Sequence, residues 1–157
     1  MNSSENGGAS PRLITPGNST LILIDHQPQM AFATRSIDGQ TLVNNVTGLA
    51  KSAKVFGVPT VLTTVAAQSF SGPIFPSIQA VFPHLTPIDR TTMNSWEDKN
   101  LVAAVRRTGR RKLVMAALWT EVCLATAALS ALDDGYEVYI VTDASGGVTP
   151  EAHEWAV

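Results

Sequence analysis

The fold is decided by a short stretch near the start of the chain, Thr20-Leu-Ile-Leu-Ile-Asp25. Its four consecutive aliphatic residues do not alternate with polar ones, so a strand made from them must be buried on both faces. Strands of this kind belong to parallel sheets that helices cover on both sides. The stretch therefore predicts a fully buried strand of a parallel sheet, ending in an acidic residue.

The remaining sequence alternates strands with helices. Further strands are predicted at residues 59–64, 88–91, 112–118 and 137–142, and helices at residues 40–56, 98–108, 121–134 and from 150 onward. Glycines at positions 57, 109 and 135 end the three internal helices. The four prolines of residues 66–87 indicate a loop with at most a short helix at residues 78–82. This order predicts one α/β domain, a three-layer α/β/α arrangement with a mainly parallel five-stranded sheet.

The composition narrows the class of protein. The chain has 157 residues, enough for one domain, which we expect at residues 19–157. Its net charge is -2, so there is no basic excess for binding nucleic acid. No apolar run reaches the ~20 residues that a membrane span needs. Only 15% of the residues are charged, which favours burial of surface between subunits of a homo-oligomer.

The N-terminal residues and the single cysteine bear on location. Residues 1–18 are rich in Ser, Asn, Gly and Pro and lack the basic start and apolar core of a secretory signal, which predicts a flexible leader. One cysteine cannot form an internal disulfide. Both features favour the cytoplasm.

Three residues lie at or just after the carboxyl ends of predicted strands and so should meet at one edge of the sheet, where parallel α/β proteins place their sites. They are Asp25, Arg90 and Cys123. Thr120 is a candidate N-cap, which would make Cys123 the third residue of a helix. The helix dipole would then lower the pKa of the thiol, while the adjacent Glu121 would oppose this. The alternative is a buried cysteine on an apolar helix.

Asp25 and Arg90 each have two interpretations. A carboxylate at the end of a buried strand needs a partner, so Asp25 is either a helix cap or ion-pair residue, or a general base for the thiol. Arg90 is either part of a structural ion pair or the cation that keeps Asp25 ionised. Because arginine does not lose its proton, its role in a site is electrostatic.

The sequence resembles the isochorismatase-like cysteine hydrolases, which include nicotinamidases and carbamoylsarcosine amidases. The resemblance covers residues 21–155 and depends on Asp25, the segment around Arg90, and Leu118-Trp-Thr-Glu-Val-Cys123. Asp-His-Gln, Asn-x-Trp and Thr-Glu-Val-Cys are also found in small bacterial members of unknown substrate, many of them octameric. Arg90 stands where the family has lysine, and Ala117 where it has glycine.

The resemblance implies a set of functional residues. Asp25, Arg90 and Cys123 would form a catalytic triad, and a cis peptide would join Leu118 to Trp119. The backbone N–H groups of Trp119 and Cys123 would form the oxyanion hole. Two further residues, Gln27 and Trp96, would either line the substrate pocket or pack in the interior.

No metal and no other cofactor are predicted. The nicotinamidases hold a metal with an Asp-x-His pair, whereas Asp25 is followed directly by His26. His84 and His153 also lack the spacing of metal ligands, so all three histidines are interpreted as structural.

The end of the chain has two interpretations. A helix starting near Pro150 reaches only Val157, so it is either a short helix docked on the core or part of a chain lacking its natural C-terminal region. The resemblance implies a sixth strand beyond this point.

Two functions follow from these features. The first is hydrolysis of a small amide-type C–N bond through a thioester on Cys123. The second is a non-catalytic subunit of an oligomer, or a thiol sensor, that keeps the same fold.

Overall fold

The structure, a computed structural model, describes residues 10–157. Its five strands are β1 (Ser19–Ile24), β2 (Thr60–Val65), β3 (Ile88–Arg90), β4 (Lys112–Ala117) and β5 (Glu137–Ile140). Its six α-helices are α1 (Pro28–Ala33), α2 (Gly39–Val55), α3 (Pro76–Val81), α4 (Lys99–Arg107), α5 (Ala125–Asp133) and α6 (Pro150–Ala156). A π-helical turn (Thr120–Leu124) and two 3-10 turns (Ser95–Glu97 and Thr142–Ala144) complete the regular structure.

All neighbouring strands are parallel, in the order β3-β2-β1-β4-β5. The aliphatic stretch of β1 lies at the centre, and its side chains alternate between the two faces as strand geometry requires. Leu21 and Leu23 pack on the side of α2 and α3, whereas Ile22 and Ile24 pack on the side of α4 and α5. Burial of these four side chains on opposite faces explains why the sequence pattern is continuous and confirms the predicted α/β fold.

The predicted elements are found close to their expected positions, with three additions. The sequence did not indicate α1, which begins at Pro28, shortly after the end of the central strand β1. The two 3-10 turns were also not anticipated. The helix expected at residues 121–134 is divided into the π-helical turn and α5. This division matters because the turn carries Cys123.

The part of the predicted leader that the structure describes contacts the sheet. Lys112 donates hydrogen bonds to the carbonyls of Pro11 and Leu13, the second at 3.0 Å. The Tyr139 hydroxyl donates to the Arg12 carbonyl at 2.8 Å. Residues 1–9 of the leader lie outside the described residues.

None of the helices within residues 10–157 is long and apolar enough to cross a membrane.

Candidate active site

Asp25 ends the central strand in an unusual backbone conformation. Its φ angle is +58°, in the left-handed region that residues other than glycine rarely adopt. The backbone remains tied to the sheet, because the Asp25 N–H donates to the Thr63 carbonyl at 3.0 Å. The side chain is completely buried. The carboxylate is therefore held at the carboxyl edge of the sheet, out of contact with solvent.

Arg90 provides the partner that this buried carboxylate needs. It is the last residue of β3, two strands away from β1, and is itself buried. Its two terminal nitrogens donate separately to the two carboxylate oxygens of Asp25, at 2.9 and 2.7 Å. Such two-point pairs are strong and strictly oriented. The structure thus brings Asp25 and Arg90 together as the sequence analysis expected.

Cys123 completes the cluster from the third segment. It lies in the π-helical turn after β4 and is 0% exposed. The Asp25 carboxylate lies close enough to this thiol for its charge to raise the pKa of Cys123. The parallel topology therefore assembles one Arg–Asp–Cys cluster, although Arg90 and Cys123 lie 65 and 98 positions after Asp25 in the sequence.

The expected capping by Thr120 was wrong. Trp119 is the residue that precedes the turn, and no side chain caps it. The Thr120 hydroxyl instead lies 2.8 Å from Nδ1 of His153 in α6, so it does not bind the Cys123 N–H. Cys123 is consequently the fourth residue of the turn rather than the third.

The protonation of the cluster differs from the sequence-based expectation. Burial, and secondarily the charge of Asp25, raise the pKa of Cys123 to about 12, so the predicted lowering is wrong. Burial also raises the pKa of Asp25 to about 6, although Arg90 acts in the opposite direction. Near neutral pH the cluster therefore contains a neutral thiol next to a largely ionised carboxylate.

Trp119 contributes its backbone to the same cluster. The peptide bond between Leu118 and Trp119 is cis, at the position that the resemblance implied. The backbone of Trp119 lowers the pKa of the Cys123 thiol, against the larger effect of burial. The indole N–H of Trp119 is directed elsewhere, to the Met30 carbonyl at 2.9 Å.

Gln27 is next to the cluster but its amide is fully engaged with the backbone. Its Nε2 donates to the carbonyls of Val65 and Gly72, at 3.1 and 2.6 Å, and its Oε1 accepts from the Val65 N–H at 2.9 Å. In this arrangement the side chain holds the segment after β2 in place. Both of its N–H donors are used in these bonds, so neither is free for a substrate.

Trp96 belongs to the same buried apolar cluster as Cys123, on the side of α4 and α5. Its indole N–H donates to Asp134 at 3.0 Å, and its ring packs edge-on against Tyr136, 5.4 Å between centroids. Asp134 follows the C-terminal end of α5, whereas Cys123 precedes its N-terminal end. A role of Trp96 in lining the substrate pocket stays a prediction.

Met93 is a further residue of the site that the sequence did not indicate. Its sulfur lies 3.9 Å from the Cys123 sulfur, and its carbonyl is 3.4 Å from Nη2 of Arg90. The one available signal was its position three residues after β3, at the edge where the site forms.

The histidines have separate environments. The completely buried His26 contacts the Ala144 carbonyl through Nε2 at 2.9 Å, and its Nδ1 has no partner. Burial lowers the pKa of His26 to about 4. His84 is exposed, and His153 contacts Thr120. Among residues 10–157, no three His, Cys, Asp or Glu side chains are grouped as a metal site.

Comparisons with known proteins agree with this fold. Residues 19–157 match the family model described as the isochorismatase domain. The chain is 40% identical over 130 residues to the probable hydrolase YcaC of Escherichia coli K12. That match includes 82% of this chain but only 62% of the E. coli protein. The chain therefore spans less than two thirds of this relative's length.

Two solved structures are also similar. The YcaC gene product of Escherichia coli, described as an octameric hydrolase of unknown specificity, superimposes with a TM-score of 0.88 at 38% identity, over 91% of this chain and 71% of that chain. YcaC from Pseudomonas aeruginosa, described with hexane-2,5-diol and covalent acrylamide, gives 0.90 at 33% identity, over 95% and 74%. Because the family model matches nearly all of the described residues, this chain belongs to the isochorismatase family.

Proposed function

We propose that the chain is a cysteine-dependent hydrolase of small amide-type C–N bonds. The observation that supports this proposal most is the buried Arg90–Asp25 pair, whose carboxylate charge acts on the Cys123 thiol and raises its pKa. A buried ion pair alone would be a structural feature. Its contact with the only cysteine of the chain instead links a base to a nucleophile. The covalent acrylamide described for the Pseudomonas aeruginosa relative is consistent with a nucleophilic group in this family.

The first step forms a thioester. The ionised Asp25 carboxylate accepts the thiol proton while the Cys123 sulfur bonds to the amide carbon. Transfer of the proton must accompany attack, because a thiol with its pKa raised to about 12 is not ionised beforehand. When the C–N bond breaks, the proton passes from Asp25 to the leaving nitrogen, and an amine or ammonia departs. Arg90 holds the carboxylate in place throughout.

Two backbone N–H groups are proposed to stabilise the negative oxygen that develops on the amide carbon. They belong to Trp119, whose backbone lowers the pKa of the Cys123 thiol, and to Cys123 itself. Removal of one such donor typically costs 10²–10³ in rate. The Thr120 hydroxyl, which would have competed for the Cys123 N–H, is bound to His153.

The second step returns the enzyme to its starting state. Asp25 accepts a proton from a water molecule, whose oxygen attacks the thioester carbon. The C–S bond breaks, a carboxylic acid leaves, and the proton on Asp25 returns to the Cys123 sulfur. The water, the substrate and the two products balance without any cofactor.

The experiment is mass spectrometry of the protein after mixing with primary amides such as nicotinamide, benzamide and propionamide, together with an assay for released ammonia. We expect a protein mass increased by one acyl group and ammonia release, both lost in Cys123→Ala. Full ammonia release by Cys123→Ala would reject the thioester mechanism.

A second candidate function, a non-catalytic subunit or a thiol sensor, is favoured by one observation. The thiol is completely buried and its pKa is raised to about 12, as expected for an inert cysteine. The rate of alkylation by iodoacetamide across pH distinguishes the two. A hydrolase should react increasingly as Asp25 ionises, through pH about 6, and lose this reactivity in Asp25→Asn. An inert thiol should react only in alkaline solution.

We further propose that the chain works as a homo-oligomer on a small-molecule substrate. The Escherichia coli relative is described as octameric, and this chain exposes several large apolar side chains. They include Phe32, Phe70, Leu129 and Trp155. Light scattering of the purified chain measures the assembly directly.

A further inference from the structure

We propose that the Met93 side chain is a gate over the Cys123 sulfur and forms the wall against which the acyl group of the substrate packs. The gate concerns access to the thiol and holds whatever the chain's activity is. The wall concerns substrate choice and rests on the proposed hydrolase function.

Two of the groups near the Cys123 sulfur are fixed in place, and one, the Met93 side chain, can move. Asp25 is buried and held by Arg90, and the Trp119 N–H belongs to the backbone. Met93 differs from both, because it is 53% exposed while its sulfur lies 3.9 Å from the buried thiol. The Met93 side chain thus extends from the Cys123 thiol to the protein surface.

The backbone around Met93 is anchored, so the side chain is the part that can move. The Met93 carbonyl is 3.4 Å from Nη2 of Arg90. On the other side, the Asn94 amide donates to the Ser130 hydroxyl at 3.0 Å and its Oδ1 accepts from the Trp96 N–H at 3.0 Å. Methionine is unbranched and has three rotatable side-chain bonds. Rotation about these bonds would uncover the thiol without moving the loop.

Attack on a carbonyl requires the reacting carbon within about 3–3.5 Å of the sulfur. The Met93 thioether now occupies space at nearly that distance. An entering acyl group must therefore displace it, and the displaced thioether remains beside that group. Because the thioether is apolar and polarizable, it favours apolar acyl groups over charged ones.

The test uses the fact that the chain has one cysteine, so a modified thiol can only be that of Cys123. The rates of modification by iodoacetamide, a small reagent, and N-phenylmaleimide, a bulky one, are followed by mass spectrometry across pH. We expect Met93→Ala to accelerate the bulky reagent about tenfold and the small one less. The pH midpoint should not rise, because the charged partners of the thiol are unchanged and the truncation only lessens the burial that raises its pKa.

Two further variants make the result specific. Met93→Leu keeps a side chain of similar volume and should react nearly as slowly as wild type. Leu132→Ala truncates an apolar side chain that is 50% exposed near the opposite end of α5, and should leave both rates unchanged. Thermal unfolding of each variant reports whether it is folded.

The gate is wrong if Met93→Ala reacts with both reagents at wild-type rates, or if it accelerates both to the same extent. The second result would mean that Met93 acts on the ionisation of the thiol. Alkylation needs no turnover, so a gate that behaves as expected in a chain that releases no ammonia would reject the hydrolase function alone. With turnover, Met93→Ala should accept bulkier amides than wild type, mainly through a lower KM.

Discussion

At Asp25, burial and the neighbouring Arg90 act against each other on one carboxyl group. Burial is the larger influence and raises the pKa of Asp25 to about 6. Because the base must be ionised to accept the thiol proton, we expect kcat/KM to rise through pH about 6 and remain level above it. Asp25→Asn should lower kcat by about 10²–10⁴. Both are measured with a steady-state pH series on any amide that is turned over.

A profile whose acid limb remains in Asp25→Asn would contradict the role of Asp25 as the base. Asp89 is a suitable control position, since its charge contributes only a minor increase to the pKa of Asp25. We expect Asp89→Asn to move the acid limb slightly toward lower pH without removing it.

Arg90 differs from the lysine that the family resemblance implied at its position. Its two terminal nitrogens bind the two oxygens of Asp25 at 2.9 and 2.7 Å, and one of them also donates to the Thr64 carbonyl at 3.2 Å. Lysine preserves the charge but not this planar two-point geometry. We therefore expect Arg90→Lys to keep measurable activity, reduced by roughly tenfold, at about 1.4 kcal/mol per tenfold.

The matched variant is Arg90→Met, which keeps length but removes the charge. Loss of one partner from a buried ion pair costs about 3–5 kcal/mol, so this variant should unfold at clearly lower urea concentration than Arg90→Lys. Equal urea midpoints for the two variants would mean that the charge of Arg90 is not needed by Asp25.

The sequence identifies the residues of the cluster but not their ionisation. Asp25, Arg90 and Cys123 were predictable because each lies at or shortly after the carboxyl end of a strand of a parallel sheet. The raised pKa of Cys123 was not, because it depends on how completely other segments cover the thiol. Met93 was missed for the same reason, since only the folded loop brings its sulfur to Cys123.

At the scale of elements, Gln27 ties the start of α1 to the segment that follows β2. Its amide makes three hydrogen bonds to the backbone of Val65 and Gly72. Each is worth about 1 kcal/mol, and the buried backbone groups of Val65 left without a partner would cost more. We expect Gln27→Leu to lose roughly 2–4 kcal/mol of unfolding free energy, measured by urea denaturation.

Gln68 offers a control within the same segment, because it is exposed. Gln68→Leu should change stability by less than about 0.5 kcal/mol. If Gln27→Leu were as stable as Gln68→Leu but showed a raised KM, the amide would serve the substrate rather than the loop.

The elements themselves were predictable to different degrees. The strands and the long α2 follow from runs of aliphatic residues and from helical spacing that ends at Gly57. The start of α1 at Pro28 and the π-helical turn around Cys123 have no comparable pattern. These short elements are determined by contacts with the sheet edge, which a local sequence pattern does not contain.

At the scale of the whole molecule, two adjacent buried residues give opposite dependences of stability on pH. Burial raises the pKa of Asp25 from 3.8 to about 6, so its contribution to stability is lost as pH rises through that range. Burial lowers the pKa of His26 from 6.5 to about 4, so its contribution is lost as pH falls through that range. Between pH 4 and 6 the two effects partly cancel. The pH dependence of the wild-type unfolding free energy therefore shows neither of them alone.

Removal of His26 should separate them. The pKa difference of His26 corresponds to about 3 kcal/mol, which acidification from above pH 6.5 to below pH 4 would remove. In His26→Gln the amide nitrogen can still donate to the Ala144 carbonyl, but nothing titrates. We therefore expect this variant to be close to wild type in urea denaturation at pH 7.5 and more stable than wild type near pH 4. His84→Gln, at an exposed histidine, is the control and should follow wild type at both values. An equal loss of stability on acidification in wild type and His26→Gln would mean that His26 is not the buried group that limits the fold in acid.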